Sequence, residues 1–189
     1  MKQTILFSII CFLSVATFAA PKKLVLTSPD GTVAVEASLN PSGTLIYEVK
    51  KSGVNVIEPS KMGIDGDLGF VSGLKIASVS KAKSLTESYY SPNEKRTNRS
   101  FTFREATIKL KNKAGKTLNV DFRATNEGVA FRYSTKAPKA VAVKSEQTTF
   151  HLNSSARAWL HPHADAETGW AETQPSYEEQ YEYDMPVGT

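Results

Sequence analysis

Alternation with a period of two is the feature that most constrains this chain. From Thr32 to Leu39, Val33, Val35, Ala37 and Leu39 fall on one side and Thr32, Ala34, Glu36 and Ser38 on the other. Only an extended backbone puts such residues on two opposite faces; a helix would scatter them around its axis. Asn40-Pro41-Ser42-Gly43 follows, where proline fixes one dihedral and glycine admits a positive one. Leu45, Tyr47 and Val49 then alternate against Ile46, Glu48 and Lys50, and Lys51-Ser52-Gly53 turns the chain into Val54-Asn55-Val56-Ile57. The pattern predicts a three-stranded meander.

The same grammar continues. Residues 60–73 are punctuated by glycine and less regular, and strands are predicted over 74–80 and 86–90. A polar loop at 91–98 precedes a long alternating strand over 101–110, with Phe101, Phe103 and Ile108 as its anchors. Asn112-Lys113-Ala114-Gly115-Lys116 closes one hairpin and Asn126-Glu127-Gly128 the next, giving strands at 118–122 and 129–133. Short strands are expected at 141–143, 148–152 and 156–160. No stretch carries an amphipathic helix of three turns, which excludes a parallel α/β domain. The expected fold is an all-β sandwich, mostly antiparallel.

Residues 1–19 read as a signal peptide rather than part of this fold. Lys2 precedes an apolar run ending at Val15, and Thr17 and Ala19 are the small residues wanted three and one before a cleavage site. The run is too short for an ordinary membrane-spanning helix. Export to the periplasm or the extracellular space follows. Cys11 lies in this segment, so residues 20–189 contain no cysteine and must be held by their core alone. About 170 residues suffice for one domain that buries on the order of two-thirds of its unfolded surface.

Charge is divided unevenly. Residues 21–157 hold 22 Lys and Arg against 12 Asp and Glu, whereas residues 158–189 hold seven acids and no Lys or Arg. The basic residues are scattered singly along alternating strands, without the clustering that nucleic-acid binding requires. His161-Pro162-His163 has a spacing that can offer two imidazoles to zinc, but His151 is the only further histidine, and a solvated loop explains the pair better. Asn98-Arg99-Ser100 and Asn153-Ser154-Ser155 match the N-glycosylation pattern and are assigned no function. The acidic stretch is more informative. Gln174 to Asp184 sets Tyr177, Tyr181 and Tyr183 among Glu178, Glu179, Glu182 and Asp184. Carboxylate oxygens suit Ca²⁺, and tyrosine rings offer flat apolar faces to sugars. On an extended strand Glu178 and Glu179 face opposite sides, so one can enter a site while the other is solvated. Composition alone favours a solvated acidic edge strand.

Three stretches give this pattern a family. Ser28-Pro29-Asp30-Gly31, the meander from Val33 to Val49, and Phe122-Arg-Ala-Thr-Asn-Glu-Gly-Val-Ala-Phe-Arg-Tyr133 together resemble the N-terminal domain of glycoside hydrolase family 97, over residues 24–189. Asn-x-Gly-x-x-Phe-Arg-Tyr is the most specific piece. The family comprises secreted bacterial α-glucosidases and α-galactosidases. The resemblance implies a β-super-sandwich of the galactose-mutarotase-like type, packed against a (β/α)₈ barrel that carries the catalytic residues. It also implies one glutamate lent by the sandwich to a Ca²⁺ ion in the active site. Matched without a gap that glutamate is Glu178; a slip of one residue selects Glu179. Tyr177 and Tyr181 become candidate contacts to an α-linked oligosaccharide. A barrel needs about 250 residues, more than the whole 189-residue chain, so none of the catalytic residues is expected here and the chain reads as truncated. A stand-alone carbohydrate-binding module, with Tyr177, Tyr181, Trp159 and Trp170 as its platform, is the alternative. A periplasmic structural or adhesion sandwich with no ligand is a third reading.

Overall fold

The computed structural model describes residues 23–137, 139–160 and 182–187. Among these the chain forms strands and turns and no helix. One antiparallel sheet runs in the order β1 (Leu24–Thr27), β2 (Val33–Leu39), β3 (Leu45–Lys51), β4 (Val54–Met62), with β12 (His151–Leu152) on the far edge of β4. The other has the order β10 (Val129–Ser134), β9 (Thr117–Ala124), β8 (Asn98–Lys111), β6 (Lys75–Val79), and β7 (Lys83–Tyr90) also pairs with β8. Two short ladders complete the set: β5 (Ile64–Gly66) with β11 (Val143–Glu146), and β13 (Arg157–Leu160) with β14 (Glu182–Pro186).

The meander forms as the alternation dictates. Val33, Val35 and Ala37 pair with Lys51, Val49 and Tyr47 across β2 and β3, and the apolar members of both strands are buried. On the opposing sheet Leu118, Val120, Phe122 and Ala124 of β9 lie opposite Leu110, Ile108, Ala106 and Arg104 of β8. β1 and β2 contact β8, β9 and β10, so the two inner faces close on each other as a sandwich. Leu24, Leu26, Phe70, Ile108, Val120 and Phe122 are among the residues fully enclosed between them. The outward positions are the polar ones, Glu36, Glu48, Asp121 and Arg123.

The long strand differs from expectation in one respect. Phe103 and Ile108 differ by an odd number of positions, so they project from opposite faces. Ile108 enters the main core, whereas Phe103 does not belong to it, although it too is fully buried. Its cover is on the outside of the sheet. The Arg123 guanidinium sits 4.2 Å from the centre of its ring, and Phe101 packs beside it at 5.6 Å. Arg123 is itself held by Glu105 at 2.7 Å and Glu87 at 2.9 Å. A charged clamp thus closes a small apolar cluster that the two sheets cannot reach.

The segment between β10 and β13 departs further from the predicted strands. The strand expected at 141–143 lies at Val143–Glu146, and that expected at 148–152 shrinks to His151–Leu152. Between them two backbone hydrogen bonds persist, Gln147 N to the Gly63 carbonyl at 2.8 Å and Thr149 N to the Lys61 carbonyl at 3.0 Å, and side chains reinforce them. The Tyr133 hydroxyl accepts from Gly63 N at 3.1 Å and donates to Thr148 Oγ1 at 2.7 Å, and Thr148 in turn donates to Glu146 Oε1 at 2.6 Å. Lys61 N donates to Thr149 Oγ1 at 2.9 Å, and Tyr47 Oη donates to the Thr149 carbonyl at 3.0 Å. Two threonines therefore strengthen the attachment of this segment to β4 and add a tie to β10.

Candidate functional site

The acidic and aromatic residues singled out above hang from β13 and β14. Leu160 pairs with Glu182, Ala158 with Met185 and Arg157 with Pro186. Residues 161–181 therefore join two strand ends that are held together as an antiparallel pair. Tyr177, Glu178, Glu179, Tyr181, Trp170, His161 and His163 all lie in this connection, outside the described residues. The described frame has a character of its own. Trp159, Leu160 and Tyr183 are at least half exposed, and the Arg157 guanidinium holds both the Asp184 carboxylate, at 2.9 Å from Nε, and the Asp184 carbonyl. Asp184 has a φ of 54°, and the ladder shifts register between Ala158 and Leu160. Aspartate tolerates that left-handed conformation better than most residues. The ion pair, which nothing in the sequence pattern announced, anchors the end of the acidic stretch.

Trp159, a platform residue in the alternative reading, is 62% exposed and is not part of the described core. His151 lies on β12 opposite Glu58, with its backbone N–H given to Ser60 Oγ at 2.9 Å. Among the described residues no three His, Cys, Asp or Glu side chains are grouped to hold a metal. The carboxylates of 178–184 supply oxygen donors of the type Ca²⁺ takes, and the one or two assigned to the ion do not fill its six to eight positions alone.

Two of the motifs that carried the family resemblance meet at one end of the sandwich. In Ser28-Pro29-Asp30-Gly31, Ser28 Oγ and Thr32 N donate to Asp30 Oδ1 at 2.6 and 2.9 Å, and Val33 N donates to Ser28 Oγ at 3.0 Å. These hydrogen bonds hold the Asp30 carboxyl below the usual carboxylate range, the bond from Ser28 acting most strongly. Asp30 N donates to Asn126 Oδ1 at 3.2 Å, and Lys51 Nζ donates to the Asn126 carbonyl at 2.6 Å. The motif residues thus knit three turns into one corner, and their work in this chain is architectural.

The family model described as glycosyl-hydrolase 97 N-terminal matches residues 26–189. The chain belongs to the glycosyl-hydrolase 97 N-terminal family. The match includes the whole 161–181 connection together with β13 and β14. Over 146 residues the chain is 28% identical to a retaining alpha-galactosidase of Bacteroides thetaiotaomicron, covering 76% of this chain and 21% of that protein. It is similar in structure to a beta-arabinopyranosidase, with 33% identity and a TM-score of 0.74, over 86% of this chain and 26% of the other. A glycoside hydrolase family 97 enzyme from Pseudoalteromonas sp. strain K8, solved with acarbose, matches at 26% identity and a TM-score of 0.65, over 75% and 22%. The family 97 chain described here spans about a fifth of the length of the curated relative.

Proposed function

We propose that this family 97 domain is the N-terminal sandwich of a secreted α-glycosidase and forms one wall of its sugar site. Its part in the chemistry is to supply Glu178, with Glu179 as the alternative, to a Ca²⁺ ion completed by residues of a (β/α)₈ barrel outside this chain. The observation that carries this reading is that the family match spans the acidic-aromatic connection, whose two ends are paired by β13 and β14. A bound Ca²⁺ would polarise an oxygen or stabilise developing charge beside the scissile bond. Tyr177 and Tyr181 would offer flat faces to the sugar rings. The substrate class is an α-linked oligosaccharide, in keeping with the alpha-galactosidase named above and the enzyme solved with acarbose. Residues 1–19 are proposed to direct export and to be removed, which mass spectrometry of the purified protein checks as an N-terminus at Ala20.

Terbium tests the metal reading directly. Tb³⁺ replaces Ca²⁺ on oxygen ligands, and nearby tyrosines sensitise its emission. Titrated with Tb³⁺, the chain should emit on tyrosine excitation, weakly because the ligand set is incomplete, and Ca²⁺ should compete. Glu178→Gln should reduce the emission more than Glu182→Gln. Emission untouched by both Glu178→Gln and Glu179→Gln would remove this segment from the metal site. The chain alone should hydrolyse neither an aryl α-galactoside nor an aryl α-glucoside; turnover that survives purification would contradict the buttressing role.

A further inference from the structure

The second sheet contains a gap. β9 ends at Ala124, opposite Arg104, whereas β8 begins six residues earlier at Asn98 and over that length pairs only with β7. Alternate residues of an antiparallel strand send their N–H and C=O groups to each side. Residues 98–103 therefore present backbone donors and acceptors along an edge that no described strand covers. The turn after β9 closes one end of this edge. The resulting groove has a volume of about 430 Å³ and is lined by Tyr89, Arg99, Phe101, Thr102, Asn126 and Glu127, among others.

Its lining combines a held ring with fixed polar groups. Tyr89 is 52% exposed, and Phe101 meets it edge-on at 6.3 Å and 73°, itself resting on buried Phe103. Arg99 is oriented by Glu94, whose carboxylate accepts from both Nε, at 2.8 Å, and an outer guanidinium nitrogen. Asn126 spends its Oδ1 on Asp30 N, which leaves its amide N–H groups as donors, and Glu127 adds an acceptor. With Arg99 neutralised by Glu94, the groove is not basic and does not suit a phosphate, sulfate or uronate. A neutral ligand with one flat apolar face and many hydroxyls does suit it.

We propose that this groove is a second saccharide-binding site, in which a neutral sugar stacks on Tyr89 and its hydroxyls meet Arg99, Asn126, Glu127 and the open edge of β8. It shares no residue with the 161–184 segment, and its choice of ligand class rests on the carbohydrate reading above. Amide-resolved NMR titration of the chain with panose tests it. Shifts should appear at residues 89, 99–102 and 125–127 as a set separate from any in 161–184, Tyr89→Ala should weaken binding at that set about tenfold, and Glu127→Gln should weaken it measurably. Lys83→Ala, on the same strand but outside the groove, should bind as the parent does. Absence of these shifts, or shifts that survive both Tyr89→Ala and Glu127→Gln, would overturn the proposal. So would concentration-dependent broadening of the same amides without sugar, which would assign the open edge to a second copy of the chain. Glu178→Gln, the variant that tests the metal reading, should leave this titration unchanged, so the two can fail separately.

Discussion

Single residues in this sandwich do work that their positions in the alternation do not announce. Tyr47 sits on the inward face of β3, almost wholly buried, yet its hydroxyl reaches out to the Thr149 carbonyl at 3.0 Å. Burial pushes that hydroxyl up to about 12, with nearby Tyr133 adding a smaller effect in the same direction. The unfolded value is about 10, so the folded state holds the proton more tightly than the unfolded one. Stability from this group is therefore complete below pH 10 and is lost as pH rises from 10 to about 12. Tyr47→Phe should cost about 1 kcal/mol at pH 7 through the lost hydrogen bond. It should also flatten part of the fall in stability across that alkaline window; a urea-midpoint profile from pH 9 to 12 identical to the parent's would sink this assignment. Arg123 is the outer-face counterpart. Arg123→Ala uncovers Phe103 and should destabilise by about 1–2 kcal/mol. Arg123→Lys keeps the charge but loses the flat stacking surface, so it should fall between the two in chemical denaturation. If lysine proves as stabilising as arginine, the clamp is electrostatic only.

At the scale of elements, turns separate what is set locally from what is set by tertiary contact. Gly43 and Gly53 end the two turns of the meander, with φ of 73° and 83°. A Cβ on Gly53 would meet nothing, so Gly53→Ala should cost only the conformational strain, about 1 kcal/mol. A Cβ on Gly43 would lie 2.8 Å from Leu74 N, because Leu74 N and Gly73 N donate to the carbonyls of Gly43 and Ser42. Gly43→Ala should therefore lower the melting temperature distinctly more than Gly53→Ala, and equal effects would deny the close approach. The same distinction explains what could be read in advance. β2, β3, β8, β9 and β10 follow from alternation and turn chemistry, which are local. The segment from 141 to 152 lies elsewhere than expected because its attachments are to residues distant in sequence, the hydroxyls of Tyr47 and Tyr133 and the backbone of Lys61 and Gly63. The two-faced character of β8 was available in the odd spacing of Phe103 and Ile108. The groove beside Tyr89 was not, because it depends on where β9 stops relative to β8. Of the predicted site, the frame formed by β13 and β14 is on view, while Glu178, Glu179, Tyr177 and Tyr181 lie outside the described residues.

Over the whole molecule, burial is concentrated where the two sheets face each other and falls away along two extensions. Every residue of β7 is exposed, as are residues 98–102 of β8, so among the described residues no layer covers the β7–β8 ribbon. A two-stranded ribbon lacking a packed face is marginal in water. The stretch from Phe150 to Leu160 likewise exposes Phe150, Leu152, Trp159 and Leu160. By contrast β2, β9 and the second half of β8 bury alternate residues almost completely. Opening of the ribbon should therefore require much less free energy than opening of the core. Amide hydrogen exchange of the chain at low concentration should give slow exchange in β2, β3, β9 and residues 104–111, and fast exchange in β7 and residues 98–102. Panose should slow exchange on the β8 edge while leaving the core unchanged. Raising the protein concentration should have no such effect, because a saccharide and not a second copy occupies that edge. Protection of the ribbon equal to that of β9, in dilute protein without sugar, would mean that the ribbon folds as part of the core, and the open groove would then have to be abandoned.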